Sequence, residues 1–425
     1  MRIAVVGSGP AGMTAAYRLQ QSGHTVEVLE ACDVVGGRTH AEHLGPGHHC
    51  DTGAGWLTSF YKHTLALFDE LGYRDLLIRP RHVRGAADLY TGGRVYRAEP
   101  GGERAAYQLL SPEERRALAA YLERVYAEQP AGLTIDLAAD DRDAEAEVAP
   151  LGTRVVDYVF RPWFEGPFFT PLNQMSAAKL RSWLKAYVGA TFYQVAGGMD
   201  TPWLRLAERM EVRTSAPVHA AHLRRSGGVD LELPSGARSY DGVVLACPAP
   251  ASTHILGKHS AEVLPWIGEV RYSPEVRVYA ARPAKADAAL GIHLVPPTPV
   301  FSVEMYSGVR GAWGDCPPDW QWALVCASGP DSTELLKLPA EVARHTLWER
   351  ARAVAPELFA LEEAAVVHDI RWEWAIPVLS SGHFRRLAAY QRKPPVVLAG
   401  DWIYHACVEG AVRSGEQSAA AFGKA

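Results

Sequence analysis

The 425-residue chain has no long hydrophobic run, because no stretch reaches the roughly 18 uncharged apolar residues that a membrane-spanning helix requires. The apolar run after Arg2 is interrupted by Gly7, Gly9 and Pro10, too early for the hydrophobic helix of a signal peptide. The chain also lacks a CxxC pair, so its six cysteines indicate neither a zinc site nor a redox dithiol. A chain of this length buries an adequate core without disulfides, and we therefore expect reduced thiols and a cytoplasmic protein.

An excess of basic residues is absent as well. Lys and Arg number 43 against 48 Asp and Glu, which gives a formal net charge of −5. Nucleic-acid binding needs a concentrated basic face, so we expect no nucleic-acid partner. Hydrophobic residues make up 48% and charged residues 21% of the chain, a composition that excludes wholesale disorder. The preference for Arg over Lys is typical of GC-rich bacterial genomes.

The beginning of the chain has the pattern strand, glycine-rich turn, helix, strand. Residues 2–7 form a short apolar run rich in β-branched side chains, which predicts a strand buried on both faces. Residues 10–21 have helical periodicity and stop before Gly23, and residues 25–29 predict a second strand. The turn between the first strand and the helix consists of Gly7, Ser8, Gly9, Pro10, Ala11 and Gly12.

This turn suits the binding of a dinucleotide. Gly7 permits the tight turn, Gly9 lets the backbone approach a pyrophosphate, and Gly12 lets the helix pack closely on the strand. The amides of the first helical turn then face the phosphates. Glu30 directly follows the second strand, where an acidic side chain binds the adenosine ribose hydroxyls. An isolated GxGxxG is a weak signal, but strand, helix and acid together predict a nucleotide-binding unit.

Two following motifs favour FAD over NAD. Gly36 and Gly37 followed by Arg38 suit a loop beneath the flavin-side phosphate, with the guanidinium available to the pyrophosphate, although a flexible turn is the alternative. A second loop has small residues and ends in an indole, so it can lie flat against an aromatic ring system. It contains Gly53, Ala54, Gly55 and Trp56.

The C-terminal part of the chain carries a third set of cofactor motifs. Residues 394–399 predict another buried strand, which ends at Gly400 and Asp401, and Asp401 can hydrogen-bond ribityl hydroxyls. An Ala-rich helix follows, and its N-terminal amides would stabilise the negative charge of a reduced flavin. That helix begins with Glu409, Gly410, Ala411 and Val412. Taken alone, these residues could equally form a turn and an ordinary helix.

Together the motifs resemble the FAD-dependent flavin amine oxidase superfamily, in particular its protoporphyrinogen-oxidase-like branch. Residues 194–199, 243–248 and 371–383 fit the same pattern. The resemblance implies an α/β fold, with a Rossmann-like FAD-binding domain of the GR2 type and an inserted α+β substrate domain. The FAD-binding domain would comprise residues 1–75, 190–255 and 390–425, and the substrate-binding domain residues 76–189 and 256–389.

The resemblance also implies particular contacts and shows one departure. Val218 would supply backbone contacts to the adenine. Amine oxidases of this superfamily usually carry a lysine, bonded through water to flavin N5, on a strand of the substrate domain. The matching strand, residues 274–278, has no lysine, and Arg277 is its nearest cation. This departure argues against simple amine oxidation and rapid use of oxygen, and for Arg277 a solvent-facing position is expected over a catalytic role.

Aromatic side chains indicate a substrate pocket. Trp372 and Trp374 alternate with charged residues, as on a strand, so their side chains would lie on the same face. They could pack against a flat substrate, and ordinary core packing is the alternative. His383 could contact the substrate, although a structural histidine is the more frequent case. A further aromatic cluster lies in a segment broken by proline and glycine, where we expect a loop, and consists of Trp163, Phe164, Phe168 and Phe169.

Three other features of the sequence resemble binding or attachment sites, but we expect no such role for them. Residues 136–147 are acidic and polar, which predicts a solvated loop and not a cation site. His48 and His49 lack a second ligand cluster, so no metal is expected. Cys407 lies near the place where parts of the superfamily attach flavin covalently, but the local sequence does not match, and we expect noncovalent FAD.

The leading functional hypothesis is an FAD-dependent oxidoreductase that dehydrogenates a C–N or C–C bond of a medium-sized, partly hydrophobic metabolite. Hydride would pass to flavin N5 from a distance of about 3–3.5 Å, and O2 would reoxidise the flavin. The alternative is a flavin-dependent isomerase or mutase without net oxidation, and a third possibility is a flavin-binding scaffold or redox sensor. The substrate and the oligomeric state are left open.

Overall fold

Five parallel strands from three distant parts of the chain form one sheet of the computed structural model, which describes residues 1–79, 88–96, 105–127, 132–285, 292–294, 300–307 and 314–424. Each neighbouring pair of strands is parallel. The apolar side chains of the middle strand are buried on both faces of the sheet, Ile3 and Val5 in one apolar core and Ala4 and Val6 in another. The Rossmann-like sheet that the motifs predict is therefore present. Its strands lie in the order Glu211–Arg213, Thr25–Leu29, Arg2–Val6, Gly242–Leu245 and Val396–Leu398.

The helix Pro10–Gln21 follows the glycine turn, as predicted. Gly7 has a φ of +102°, which L side chains rarely adopt, and a Cβ at Gly12 would lie 1.8 Å from the Gly7 carbonyl oxygen. The C-terminal helix Val408–Ala420 packs closely on the first helix, since a Cβ at Gly415 would lie 2.3 Å from the carbonyl oxygen of Ala11. Segments from the two ends of the chain are thereby joined beside the sheet.

A second sheet has seven strands and is antiparallel apart from one pair. Its long strand Tyr272–Pro283 pairs with Val366–Pro377 on one side and with Trp320–Ala327 on the other. The helix Ala340–Val354 contributes Leu347 and Trp348 to the apolar core of this sheet. The order continues through Val300–Ser307, Ile292–Leu294, Leu89–Thr91 and Arg94–Tyr96.

Three small sheets complete the strands of the described chain. Within residues 211–245 only the middle three strands form a meander, because the first and last strands of that range belong to the parallel sheet. The meander consists of Ala220–Leu223, Val229–Leu233 and Gly236–Tyr240. The other two sheets contain Ala41–Gly45, His48–Asp51 and Gly314–Asp315, and Leu57–Thr58, Leu77–Ile78 and Phe192–Val195.

The remaining α-helices are distributed along the whole chain. None of the helices in the described ranges is long and apolar enough to cross a membrane. These α-helices are Lys62–Leu71, Pro112–Ala127, Ala144–Val148, Thr153–Val155, Gly166–Phe168, Ala177–Tyr187, Thr201–Ala207, Ala249–Leu256, Ser260–Val263, Gly329–Leu335 and His383–Ala388.

Two segments predicted as loops are helical. The aromatic segment forms a π-helix, Val156–Glu165, between the short helices Thr153–Val155 and Gly166–Phe168, because burial of its aromatic side chains outweighs the helix-breaking effect of proline. The acidic segment contains a 3₁₀-helix, Leu137–Asp141, and an α-helix. Its Asp140 is fully buried and accepts hydrogen bonds from Ser176 Oγ at 2.6 Å and from a backbone amide. A polar composition did not reveal these partners.

The division of the chain into two domains stays a prediction. Strands of the parallel sheet lie within the ranges assigned to FAD binding, and strands of the seven-stranded sheet lie within the ranges assigned to the substrate domain. The arrangement of strands is thus compatible with the expected boundaries.

Candidate functional site

A cavity of about 850 Å³ is lined by residues of both large sheets. Its volume lies within the range of about 300–1,000 Å³ that is usual for small-molecule sites. The cavity begins at the carboxyl ends of the parallel strands, where ligands bind in open α/β sheets. Most of the predicted site residues line it: Gly7, Gly9, Pro10, Ala11, Glu30, Gly37, Arg38, Gly53, Ala54, Gly55, Trp56, Val218, Gly400, Asp401 and Ala411, with Arg277, Trp372 and Trp374.

Four predicted cofactor residues lie behind this lining. Gly12 lies where a Cβ would clash with the preceding turn, and Gly410 lies where a Cβ would be 2.0 Å from the His405 carbonyl oxygen. Val412 is fully buried in the apolar core. The carboxylate of Glu409 points to another helix and accepts hydrogen bonds from the His63 amide, the Thr64 amide and the Thr64 hydroxyl at 2.8, 2.9 and 2.8 Å. These four residues therefore pack behind the lining of the cavity and do not form its surface.

His383 also lies outside the large cavity. Its Nε2 is 2.8 Å from the carbonyl oxygen of Trp402, and burial lowers the pKa of the ring to about 4. It lines a separate cavity of about 210 Å³ together with Arg271 and Arg386. The structure therefore favours the structural role over contact with the substrate.

The glycine turn leaves an open approach for a phosphate. A Cβ added at Gly9 would lie 3.8 Å from the Gly36 carbonyl oxygen and 4.0 Å from Gly37 Cα, so it would make ordinary contacts with backbone and meet no side chain within 4 Å. Next to it, Glu30 is held in place, because its Oε2 accepts hydrogen bonds from the Ser8 amide and hydroxyl, both at 2.7 Å. Its Oε1 accepts from the Cys32 amide at 2.9 Å. The cavity thus has an acidic group fixed beside an open glycine turn.

Arg38 is held by protein groups. Its guanidinium donates to Asp401 Oδ2 and Oδ1 at 2.9 and 2.7 Å and to the Ala375 carbonyl oxygen at 2.7 Å. Gly53 packs beside it, since a Cβ there would lie 2.0 Å from the Arg38 carbonyl oxygen. The sequence expectation left Arg38 available to a pyrophosphate and Asp401 to ribityl hydroxyls, whereas here the two side chains bind each other. Both motifs were visible in the sequence, but their pairing was not.

The solvent-facing position expected for Arg277 is wrong. Only 1% of Arg277 is exposed although it lines the cavity, because the loop containing Thr52 and Gly53 and the side chain of Glu275 pack against its guanidinium. Its Nη2 donates to the carbonyl oxygens of Thr52 and Gly53 at 2.7 and 3.1 Å, and its Nε lies 2.5 Å from Glu275 Oε1. Burial raises the pKa of Glu275, while the adjacent Arg277 opposes that rise.

Trp372 binds the same loop as Arg277. Its indole Nε1 donates to the Thr52 carbonyl oxygen at 2.6 Å, so that oxygen accepts two side-chain hydrogen bonds. Trp374 lies two residues further along the strand and is 37% exposed. Glu275 is a residue of the site that was not predicted from the sequence, although its spacing of two from Arg277 on the same strand could have indicated it.

Aromatic side chains from several elements also line the cavity. The rings of Phe168 and Trp183 are 5.0 Å apart, and those of Phe169 and Phe301 are 6.3 Å apart. The Phe301 ring needs Gly166, since a Cβ there would lie 1.7 Å from a Phe301 ring carbon. This part of the cavity is therefore largely apolar. Further aromatic lining comes from Trp56, Tyr61, Tyr187, Trp372 and Trp374.

A parallel sheet with a glycine turn and a fixed acid at its carboxyl edge, opening into an aromatic pocket, defines a dinucleotide-binding oxidoreductase of the Rossmann type. Comparison with protein families narrows this class. The model of the family "flavin containing amine oxidoreductase" matches residues 10–422, and the chain belongs to this family. Membership implies a flavin cofactor, and the resemblance inferred from the motifs is confirmed.

Curated relatives match the chain over limited segments. Putrescine oxidase of Kocuria rosea is 47% identical over 70 residues, which is 16% of this chain and 14% of that protein. Protoporphyrinogen oxidase 2 of Arabidopsis thaliana is 28% identical over 165 residues, 39% of this chain and 32% of that protein. The matched segments span less than two thirds of the length of these relatives. The similarity therefore shows shared sequence motifs and does not extend to the whole of either protein.

Solved structures match the fold over almost the whole chain. A putative protoporphyrinogen oxidase from Exiguobacterium gives a TM-score of 0.74 at 18% identity and covers 99% of this chain and 98% of its own. Putrescine oxidase bound to putrescine gives 0.74 at 20% identity, with 99% of each chain covered. A fatty acid isomerase from P. acnes gives 0.71 at 16% identity over 98% of this chain and 97% of its own. These similarities show the fold.

Proposed function

We propose that the chain binds FAD noncovalently and dehydrogenates a C–N or C–C bond of a medium-sized, partly hydrophobic small molecule, with O2 as the final electron acceptor. The observation that carries this proposal is the continuity of one cavity from the glycine turn to the aromatic pocket. Such a cavity accommodates an extended dinucleotide whose flavin end meets a substrate. The predicted FAD-binding and substrate-binding ranges remain part of this proposal.

The residues at the nucleotide end fit FAD. Gly9 leaves the phosphate approach open, Glu30 presents an acid held by Ser8, and Val218 lines the wall nearby. Bound FAD would supply the hydride-accepting ring, which no protein side chain provides. The protein's own contribution is to position the cofactor, exclude water and orient the substrate.

Noncovalent binding is supported by the state of Cys407. This cysteine lines the cavity, and burial raises the pKa of its thiol to about 12. A thiol with such a pKa stays protonated at neutral pH, and the protonated form is a poor nucleophile. We therefore expect FAD to be released when the protein is denatured.

The charged groups at the substrate end restrict the substrate class. Glu275 is ion-paired with Arg277, so the second ammonium of a diamine would have to displace a buried guanidinium to bind there. Aromatic side chains also line this cavity. We propose that the substrate presents an aromatic or aliphatic body to this wall and carries no second cation.

A redox-neutral isomerase is the second candidate. Two observations favour it: the fold is similar to that of a fatty acid isomerase, and an arginine ion pair stands on the strand where a lysine was expected. An isomerase would consume no O2 during turnover. Release of peroxide with substrate therefore separates the two proposals.

The test starts from purified protein reconstituted with FAD. Anaerobic mixing with a panel of hydrophobic amines and polycyclic compounds should bleach the flavin absorbance near 450 nm for the right class, and admission of air should restore it with formation of peroxide. Transient bleaching that recovers without air, with an isomerised product and no peroxide, supports the isomerase. A chain that stays colourless after incubation with excess FAD contradicts both proposals.

A further inference from the structure

Lys179 is a fully buried lysine whose ammonium nitrogen has no hydrogen-bond partner among the described residues. It lies in the helix Ala177–Tyr187, and its Nζ is 3.8 Å from the centre of the Phe168 ring. Phe168 lines the cavity, so Lys179 lies one side chain behind the cavity wall. A buried cation with neither a carboxylate nor a hydrogen-bond acceptor is costly, and a buried polar group of this kind calls for a functional explanation.

The groups that face Lys179 from the neighbouring elements carry no available negative charge. Asp401 favours the ammonium, but its carboxylate is already bound by Arg38. Cys407, which precedes the helix Val408–Ala420, also faces Lys179, but burial raises the pKa of its thiol to about 12, so it is neutral. Lys179 therefore lacks a free counterion among the residues that the structure describes.

Two histidines near Lys179 are neutral as well. Burial lowers the pKa of His405 to about 3 and that of His383 to about 4, and the charge of Lys179 adds to both shifts. Without a counterion, burial lowers the pKa of Lys179 itself to about 7. A negative charge that forms near this part of the cavity would favour the ammonium form of Lys179, because charges interact strongly where water is excluded.

We infer that Lys179 is a positioning residue that binds a proton when negative charge develops on the reduced cofactor, an inference that rests on the proposed FAD-dependent function. Phe168, Asp401 and Cys407 line the cavity, and Lys179 stands behind Phe168 with its Nζ 3.8 Å from the ring centre. Substrate oxidation releases one hydride, which reduces the flavin, and one proton. Lys179 then binds one proton, so reduction leaves no uncompensated charge in this wall.

The test measures the midpoint potential of bound FAD against pH for the wild-type protein and for Lys179→Met. Reduction of flavin by two electrons with one proton changes the potential by about 29.6 mV per pH unit, and a second proton on Lys179 doubles that slope to about 59 mV. We expect the steeper slope in the wild type from about pH 7 up to the pKa of Lys179 in the reduced protein, and the shallower slope throughout in K179M. Lys179 should bind the proton at least tenfold more tightly when the flavin is reduced. At pH values below 7, the midpoint potential of the wild type should therefore be at least about 30 mV higher than that of K179M.

Lys185→Met is the matched control, because Lys185 lies on the same helix, is 4% exposed and has its Nζ 3.4 Å from Thr134 Oγ1. K185M should retain the wild-type slope. Lys179→Gln is the second neutral variant if K179M folds poorly. Equal potentials for wild type and either neutral variant from pH 6.5 to 9.5 overturn the inference while the bound yellow flavin still supports the proposed function. Failure of the wild type to bind FAD overturns both.

Discussion

The guanidinium of Arg38 donates hydrogen bonds to both carboxylate oxygens of Asp401, at 2.9 and 2.7 Å, although 363 positions separate the two residues in the chain. A third bond joins Arg38 to the carbonyl oxygen of Ala375, on the strand Val366–Pro377. One side chain therefore connects the N-terminal nucleotide segment, the C-terminal segment and the large sheet. All three segments line the same cavity, so its shape depends on this contact.

Asp401→Asn should weaken both the fold and the retention of FAD. The substitution leaves Arg38 without its charged partner, and we expect the free energy of unfolding to fall by about 1–3 kcal/mol. Urea denaturation of the apoprotein measures the stability, and the flavin absorbance that remains after gel filtration measures retention. Asp33→Asn is the control, because Asp33 is exposed and its substitution should change stability by less than about 0.5 kcal/mol. Equal behaviour of the two variants would show that the ion pair has no such role.

Gly9→Ala and Gly12→Ala should separate cofactor binding from folding. Gly9 has a φ of −71° and an added Cβ meets nothing closer than 3.8 Å, so the apoprotein should keep its stability. The new methyl group would nevertheless stand where the proposed pyrophosphate approaches, and the affinity for FAD should fall at least tenfold. Gly12→Ala places a Cβ 1.8 Å from the Gly7 carbonyl oxygen and should cost at least about 1–3 kcal/mol of stability.

The measurement for these glycine variants is paired: thermal unfolding of each apoprotein, and titration with FAD followed by flavin fluorescence. The glycine turn would be unrelated to cofactor binding if Gly9→Ala bound FAD as tightly as the wild type.

Arg277→Met should destabilise the protein more than the double variant Glu275→Gln/Arg277→Met. Removal of Arg277 alone leaves the buried Glu275 carboxylate uncompensated, and breaking a buried pair in this way costs about 3–5 kcal/mol. Neutralising both partners removes that penalty, although the Thr52 carbonyl oxygen still loses a donor. Urea denaturation of the two variants and of Glu275→Gln completes the double-mutant cycle. Additive losses would mean that the two side chains do not interact.

Local patterns in the sequence predicted the local structure around the glycine turn. The turn around Gly7 and the helix Pro10–Gln21 depend on neighbouring residues only, and the structure has both where they were expected. Glu30 follows its strand for the same reason. The lining of the cavity by these residues agrees with the predicted cofactor site, whose occupant stays a proposal.

The substrate end could be predicted only in part. Strand periodicity indicates that Glu275 and Arg277 share a face, but not that the loop containing Thr52 covers that face. The segment around Pro162 was expected to be a loop, since single-sequence propensity does not include the burial of its aromatic side chains. The position of Lys179 behind Phe168 likewise depends on packing between segments and not on a local motif.

Lys179→Met should stabilise the apoprotein, and the gain should depend on pH. The folded protein holds this lysine with a pKa lowered to about 7, whereas a lysine in the unfolded chain has a pKa of about 10.4. Between these values the unfolded state binds one more proton than the folded state, so wild-type stability rises with pH. The destabilising effect of Lys179 is therefore fully present below pH 7 and disappears as the pH approaches 10.4, at about 1.4 kcal/mol per unit of pKa difference. Urea denaturation of wild type and K179M at pH 6.5, 8 and 9.5 should show a gain that shrinks with each step. A gain that is independent of pH would indicate improved packing against Phe168 and an ordinary pKa for the lysine.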